Sequence, residues 1–583
     1  MRKENFRREI VLYIMIAVLV FSLVGRAFYL QVVKGDYYNL LSQYRSIRIV
    51  EVPSMRGKIL DKSGVVLAED LPSYNVGITL EDVEDLDKEL ITLSSIISVS
   101  PDQMKERLDK ADLPSYELVV VKNNITDAER VKIEENADAL RGVSVITSYR
   151  RYYPYKEIGA AFLGYVGPVA EEDLQNDDFY SINDVIGKQG LELQYEKYLR
   201  GTKGRKEVLI DSFGRVKEVL YEEPPIPGDN ILLNVDIKVQ TNLEKIVGDK
   251  SSVAIAMDPK TGGIIALVSH PSFDPNLFVQ GISAKDYERL SQLSAFINRA
   301  TQSRFPTGST FKVLTLISAL ESDVITPNTT IDCGAYVTIG GRNFKDWIYP
   351  SAFGTQTPSV ALANSSDVFF YKLGLMTTVD TIKKYGDILK VSEKTGIDLP
   401  FEIEGIIPSP EWKEKAFSEQ WYLGDTANMS IGQGYVSLTP IEVACLYQLI
   451  ANNGVGLTPH FMQKIVSPDG SIITEYTPAV RVEYKFKHDY TLKTVKDGLE
   501  GLSNKYDMRV VRVNGVTVCS KTGSAEVGDK KESVHHWLVS FAPRDNSKVL
   551  GLLFFEYSTF PSSHSLAPLM RDLLKNFFWL KII

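Results

Sequence analysis

The chain has 583 residues, 44% of them hydrophobic and 24% charged, which is enough apolar material for several cores and excludes an intrinsically disordered protein. Its net charge of -9 comes without a long basic block and argues against a nucleic-acid-binding surface. Cys333, Cys445 and Cys519 lie far apart and the six histidines show no ligand spacing, so neither a disulfide framework nor a metal site is expected.

Arg2, Lys3, Arg7 and Arg8 precede an uncharged apolar run over residues 10–25, which Ala27-Phe28-Tyr29-Leu30 extends past Arg26. A membrane span needs about 20 apolar residues, and a snorkelling Arg26 lets residues 10–33 supply them. The basic flank predicts a cytoplasmic tail over residues 1–9 and an extracytoplasmic location for everything after Val33. A cleaved signal peptide shares the charged start, but no A-x-A-like site follows the run, so a single-pass anchor is expected.

Residues 34–235 alternate short strand-like and helix-like pieces without a catalytic cluster, and read as a spacer or docking module. Within them, Arg56-Gly57-Lys58-Ile59-Leu60-Asp61-Lys62-Ser63-Gly64-Val65-Val66-Leu67-Ala68 predicts strand, turn and strand. Thr126-Asp127-Ala128-Glu129 is a capping box opening a helix that Gly142 closes. Acidic helices around the strand Leu118-Val119-Val120-Val121 suggest a small inserted subdomain near residues 82–146. Gly187-Lys188-Gln189-Gly190-Leu191-Glu192 leads into a helix ending near Leu199. Pro224-Pro225-Ile226-Pro227-Gly228 is the clearest linker, and a new domain over residues 236–583 follows it.

In that domain, Val253-Ala254-Ile255-Ala256-Met257 and Ile264-Ile265-Ala266-Leu267-Val268 flank a turn, as a hairpin does. Val516-Thr517-Val518-Cys519, His536-Trp537-Leu538-Val539-Ser540-Phe541 and Val549-Leu550-Gly551-Leu552-Leu553-Phe554 predict three more strands. A final helix presents Leu566, Leu569, Leu573, Leu574, Phe577 and Phe578 on one face. Strands at both ends and a helical middle predict an α+β domain: a mostly antiparallel sheet closed by the two chain ends and flanked by helices.

Pro306-Thr307-Gly308-Ser309-Thr310-Phe311-Lys312 runs into the apolar pattern Val313, Leu314, Leu316, Ile317, Leu320, which predicts a helix starting at or near Ser309. Ser309 and Lys312 then share a face, and a neutral lysine amine beside a serine hydroxyl can take its proton. Asn364-Ser365-Ser366-Asp367 lies ahead of Val368-Phe369-Phe370-Tyr371, as an N-cap would, and capping and catalysis can coexist there. Of three Lys-Thr-Gly tripeptides, Lys260-Thr261-Gly262 fills a hairpin turn and Lys394-Thr395-Gly396 lies in a polar loop. Only Lys521-Thr522-Gly523 follows a strand-like run, where an edge strand can hold a peptide backbone while lysine and threonine bind its carboxylate.

The order Ser309-x-x-Lys312, Ser365-x-Asp367, Lys521-Thr522-Gly523 resembles that of the class B penicillin-binding proteins, the peptidoglycan DD-transpeptidases. The resemblance extends to the anchor, the motif from Arg56, the motif from Gly187, Ser430-Ile431-Gly432-Gln433-Gly434, and Lys521 to Glu526. The family pattern has Ser-x-Asn where this chain has Asp367; that aspartate, the Asp258-Pro259 hairpin and the run Gly340-Gly341-Arg342-x-Phe344-Lys345-Asp346-Trp347 look like the elongation subgroup typified by penicillin-binding protein 2. The division-specific transpeptidases are the rival subgroup. The resemblance implies a penicillin-recognising serine acyltransferase fold on an elongated, dimerisation-type pedestal with one transmembrane helix, held in the bacterial cytoplasmic membrane.

It also implies roles. Ser309 would form the acyl-enzyme with a donor stem peptide and release D-alanine. Lys312 would act as base, its pKa depressed by burial and by Lys521. Ser365 would relay a proton, Asp367 would bond the Lys312 ammonium or the substrate amide, and Lys521 and Thr522 would bind the donor carboxylate. The N–H groups of Ser309 and of Ser524, which follows Gly523, would form an oxyanion hole. The implied partners are stem peptides, lipid-linked glycan strands, β-lactams, the membrane and a SEDS-type, RodA-like glycosyltransferase, with no cofactor. Some elongation-type members bind a structural zinc; Asp332, Cys333 and Asp346 lack a histidine, so none is expected here. Three other readings stay open: a β-lactamase or DD-carboxypeptidase delivering water to the same acyl-enzyme, a non-catalytic β-lactam-sensing receptor, and a membrane-bound Ser-Lys protease.

Overall fold

The computed structural model describes residues 2–35, 47–111, 113–177, 179–181, 183–210, 216–505, 507–527 and 534–578, with the backbone alone for residues 2–9 and 176. The basic side chains of the predicted tail therefore lie outside the described part. The α-helix Arg2–Phe28 continues into a π-helical segment, Tyr29–Val33, and Ile10–Val33 is long and apolar enough to cross a membrane.

The chain groups into two compact units. The smaller comprises residues 1–55, 72–149 and 201–227. It holds an antiparallel sheet in the order Ile47–Val52, Gly204–Ile210, Val216–Glu223. It also holds a small core in which Leu90, Leu93, Ile97, Met104 and Ile133 from three helices cover Val119 and Val121 of the strand Leu118–Lys122. The capping box is present: Thr126 accepts from the Glu129 amide and the Glu129 carboxylate accepts from the Thr126 amide. Its helix ends at Glu135, short of the expected Gly142, because the Asn136 side chain donates to the Lys132 carbonyl and closes the last turn.

The larger unit comprises residues 56–71, 150–200 and 228–583. Its principal sheet has five antiparallel strands in the order Ile264–His270, Ser252–Met257, Val549–Phe555, Val534–Ala542, Cys519–Glu526. Both chain ends thus close one sheet, and period-two alternation fills both faces. Ile255, Val539 and Leu552 pack with the wholly buried helices Lys312–Glu321 and Pro440–Ala451, while Ala254, Leu538 and Leu553 face the helices Ile237–Val247 and Ala567–Phe578. A helix buried all round reads as apolar on every side, which is why these two segments carry so little charge. Residues Lys521, Thr522 and Gly523 lie inside the edge strand instead of after it, since pairing to Val534–Ala542 runs on to Glu526.

A second sheet of this unit pairs Ile59–Leu60 with residues 66–68 and, in parallel, with Asn230–Leu233. Beside it lies a buried charge cluster. The Glu192 carboxylate accepts from Arg56 Nε (2.7 Å), Arg151 Nε (2.7 Å) and Tyr153 Oη (3.2 Å). Arg56 Nη2 also donates to Glu196 (2.6 Å), and Arg151 Nη1 to the Gly57 carbonyl (2.8 Å). Burial works to raise the Glu192 carboxyl, but the two guanidinium groups hold it below the usual carboxylate range. Its stabilising charge is therefore present above that range and is lost as pH falls through the depressed value. Glu192→Ala removes the carboxylate that two buried guanidinium groups share and leaves Arg56 with Glu196 and Arg151 with Asp70; unfolding by denaturant should show a loss of about 3–5 kcal/mol.

Candidate active site

The serine turn is built by close backbone approach. Gly308–Phe311 is a 3-10 turn, and the α-helix proper starts at Lys312. In a 3-10 turn residues i and i+3 eclipse, so Ser309 and Lys312 stay on one face although the α-helix begins later than expected. The Gly308 amide donates to the Gly432 carbonyl (2.9 Å), Tyr447 Oη to the Thr310 carbonyl (2.9 Å), and Trp537 Nε1 to the Pro306 carbonyl (3.0 Å). Gly308 has φ +53°, and a Cβ there would lie 2.6 Å from the Ser524 carbonyl oxygen. A Cβ on Gly523 would meet the Thr307 carbonyl oxygen at 2.8 Å. These two glycines let the serine turn sit against the edge strand.

Two of the expected site residues, Lys312 and Lys521, converge on the hydroxyl of a third, Ser365, and a fourth, Asp367, bonds Lys312. Lys312 Nζ donates to the Ser365 carbonyl (2.7 Å), to Asp367 Oδ1 (2.7 Å) and to Ser365 Oγ (3.3 Å). Lys521 Nζ donates to the same Ser365 Oγ (2.9 Å) and to the Thr522 carbonyl (2.9 Å). Both lysine side chains are fully buried, so two amines share one oxygen, with the Asp367 carboxylate in contact with Lys312. Burial, then the Lys312 ammonium, pushes the Lys521 amine well below the ordinary lysine range, while Asp367 opposes that shift. The amine pushed towards neutrality here is that of Lys521.

Ser365 ends the helix Pro358–Asn364 in the left-handed conformation, φ +54° and ψ 34°. Ser366, not Ser365 or Asp367, caps the next helix, Asp367–Thr377, by accepting from the Phe369 amide. The motif therefore splits its work: Ser366 caps, which frees Ser365 and Asp367 to face Lys312.

Ser309 is half-buried, and its hydroxyl makes no hydrogen bond to Lys312 or to any other described residue. Lys312 Nζ is engaged by Ser365 and Asp367. On the edge strand, Thr522 is buried opposite Leu538 and its hydroxyl has no partner among the described residues. Ser524 is exposed, with Oγ at 3.3 Å from His536 Nδ1 and 3.2 Å from Ser563 Oγ. Sequence reasoning missed Ser366, Trp537, His536 and Ser563, which no spacing marks out. Gly432 was quoted only as part of a motif; its φ of +73°, and the Gly308 carbonyl oxygen 2.2 Å from where its Cβ would lie, explain that glycine. Among the described residues no three His, Cys, Asp or Glu side chains are grouped as metal ligands.

Residues 252–575 match the penicillin binding protein transpeptidase domain, and residues 51–233 the penicillin-binding protein dimerisation domain. The chain is 31% identical to the peptidoglycan D,D-transpeptidase MrdA of Salmonella typhimurium over 99% of this chain and 96% of that one. It is similar to penicillin-binding protein 2 of Helicobacter pylori, solved in complex with MreC, with TM-score 0.82, 26% identity, and coverage of 92% of this chain and 100% of that one. A chain in a peptidoglycan synthase complex that coordinates polymerisation and crosslinking matches with TM-score 0.72 and 28% identity, over 98% and 99% of the two chains.

The glycine contact at the serine turn is testable by itself. Gly308→Ala imposes left-handed strain of about 1–3 kcal/mol and a collision with the Ser524 carbonyl; thermal denaturation should show a clear drop in Tm.

Proposed function

Because this chain belongs to the class B penicillin-binding proteins, we propose that Ser309 is the nucleophile of its transpeptidase reaction, with Lys312, Ser365 and Lys521 as its proton relay. The protein is an elongation-type peptidoglycan D,D-transpeptidase and a β-lactam target. The observation that carries the residue assignment is the Ser365 hydroxyl, within hydrogen-bond distance of the Lys521 amine and of the amine of Lys312, which lies one helical turn from Ser309.

The chemistry follows from charge. Lys312 can take the Ser309 proton only after giving one up, and the Lys521 amine, biased towards neutrality, is the place to send it through Ser365 Oγ. Ser309 Oγ then bonds to the carbonyl carbon of the penultimate D-alanine, the bond to the terminal D-alanine nitrogen breaks, and the relay returns a proton to that nitrogen. An amine of a neighbouring stem peptide attacks the ester, forms the crosslink and restores the Ser309 hydroxyl. The free Thr522 hydroxyl and the Lys521 amine suit the donor carboxylate, and Gly523 and Ser524 continue the strand edge along which its backbone would lie. A β-lactam opens its ring by the same attack and remains as an ester on Ser309.

The domain reading is residues 236–583 for catalysis, on a pedestal over 34–235 with an insertion near 82–146; the two family-model matches support the division at the linker. Residues 10–33 are taken as a single-pass anchor with the catalytic domain outside, supported by the apolar helix. A glycosyltransferase partner is supported by the match to a synthase complex.

Intact-mass and peptide mapping after benzylpenicillin should place one adduct on the peptide containing Ser309, and Ser309→Ala should abolish it with Tm unchanged. An adduct persisting at the same stoichiometry in Ser309→Ala would falsify the assignment. The relay has its own signature. Asp367 raises the Lys521 amine, so Asp367→Asn should lower it further, and the acid limb of penicillin acylation should move to lower pH. A stopped-flow pH profile with a fluorescent penicillin reads that displacement.

A further inference from the structure

Ser365 ends its helix in the left-handed conformation, a common helix C-cap that Ser98 and Ser418 also adopt and that costs a non-glycine residue about 1–2 kcal/mol. Both of its neighbours, in addition, are held by the segment that follows the hairpin of Tyr336–Ile339 and Arg342–Lys345. Asp346 Oδ2 accepts from Ser366 Oγ (2.8 Å) and from the Val368 amide (3.0 Å). On the other flank, Trp347 Nε1 donates to the Asn364 carbonyl (3.2 Å) and Gln356 Oε1 accepts from Asn364 Nδ2 (2.9 Å). Ser365 is thus gripped from both neighbours by one stretch of chain.

Within that grip Asp346 is the anomalous member. It is 3% exposed, and its second oxygen, Oδ1, is buried with no partner among the described residues. Burial pushes its carboxyl up, and the nearby Asp367 charge adds to that shift. A half-satisfied acid beside another acid is a poor choice for stability, since an apolar residue of similar size would avoid the desolvation penalty. What only an acceptor at this place achieves is to hold the Ser366 hydroxyl and the Val368 amide, on either side of Asp367, at one carboxylate oxygen.

We propose that Asp346 is a positioning residue for acyl transfer: by fixing the Ser366 hydroxyl and the Val368 amide it holds the Ser365 carbonyl and hydroxyl against the Lys312 and Lys521 amines. The inference rests on the acyl-transfer reading above. Asp346 touches no reacting atom. It acts on the rate of the covalent step and leaves substrate capture, which belongs to the edge strand, unchanged.

The test separates these two quantities. Acylation of the full-length, detergent-solubilised protein by a fluorescent penicillin is resolved into a binding constant and a limiting rate for wild type, Asp346→Ala, Asp346→Asn and Ser366→Ala, with Tm measured for each. In Asp346→Ala the limiting rate should fall about 10- to 100-fold, the loss expected of a misplaced catalytic group, while binding changes by less than about threefold. Asp346→Asn keeps an acceptor oxygen and should recover the rate to within about threefold of wild type. Ser366→Ala, which removes one of the two donors, should fall between them. If Asp346→Ala does not fold, the other two variants still decide. A wild-type rate in Ser366→Ala, or an Asn variant that folds but is as slow as a 10-fold loss, overturns the proposal, as does a loss that appears in binding alone. Wild-type protein that takes no label at Ser309 overturns the underlying reading, and the proposal with it; labelled wild type with unaffected variants overturns only the proposal.

Discussion

Two lysine amines are buried against one serine hydroxyl, with a single carboxylate in contact. The rest of the site follows from that imbalance. Two unit positive charges that share one hydrogen-bonded oxygen repel by roughly 3 kcal/mol at an effective dielectric constant near 20, before any cost of burial. The cluster cannot hold both amines protonated without penalty, and Asp367 ties the surviving charge to the Lys312 side. An amine is thereby biased towards its neutral form. The price is a reservoir of electrostatic tension, which only a rigid scaffold contains.

The scaffold does so through its topology. The serine turn, the Ser365 turn and the Lys521 strand come from three separate stretches, and each is fixed by short, specific contacts in place of broad packing. Gly308 and Gly523 remove the two Cβ atoms that would keep the serine turn off the edge strand. Beneath them the wholly buried helices Lys312–Glu321 and Pro440–Ala451 lock the turn from below, each buried leucine or isoleucine contributing about 1.5–3 kcal/mol. An edge strand that pairs on one side only leaves backbone groups for an extended peptide, and among the described strands Cys519–Glu526 pairs with Val534–Ala542 alone.

Much of this was legible in the sequence, and the reason differs from element to element. The sheet strands announce themselves by period, and the two decoy Lys-Thr-Gly tripeptides by their turn residues: Asp258 closes one turn by backbone bonding to Gly263, and Glu402 takes the Thr395 and Gly396 amides in the other. The 3-10 geometry at Ser309 was not legible, since the same apolar period suits either helix. Neither was the membership of residues 56–71 and 150–200 in the larger unit, which depends on Glu192 meeting Arg56 and Arg151 from distant positions. Asp346 was visible only as one acid in a resemblance; its role is a matter of which oxygen reaches which amide, and no spacing encodes that.

The two buried charge clusters mark a difference in kind. Around Glu192 both carboxylate oxygens are taken and two cations balance a set of acids, an arrangement that stabilises and leaves one Arg151 nitrogen without a partner among the described residues. Around Ser365 the features are left over: a left-handed serine, an unpartnered Asp346 oxygen, an unpartnered Gln356 amide and an amine held away from its ordinary charge. Folding energy alone would remove each of these, as conformational strain and unsatisfied polar atoms each cost on the order of 1–3 kcal/mol. Their concentration within one hydrogen-bonded layer of the proposed relay is what a site looks like when stability has been given up for chemistry.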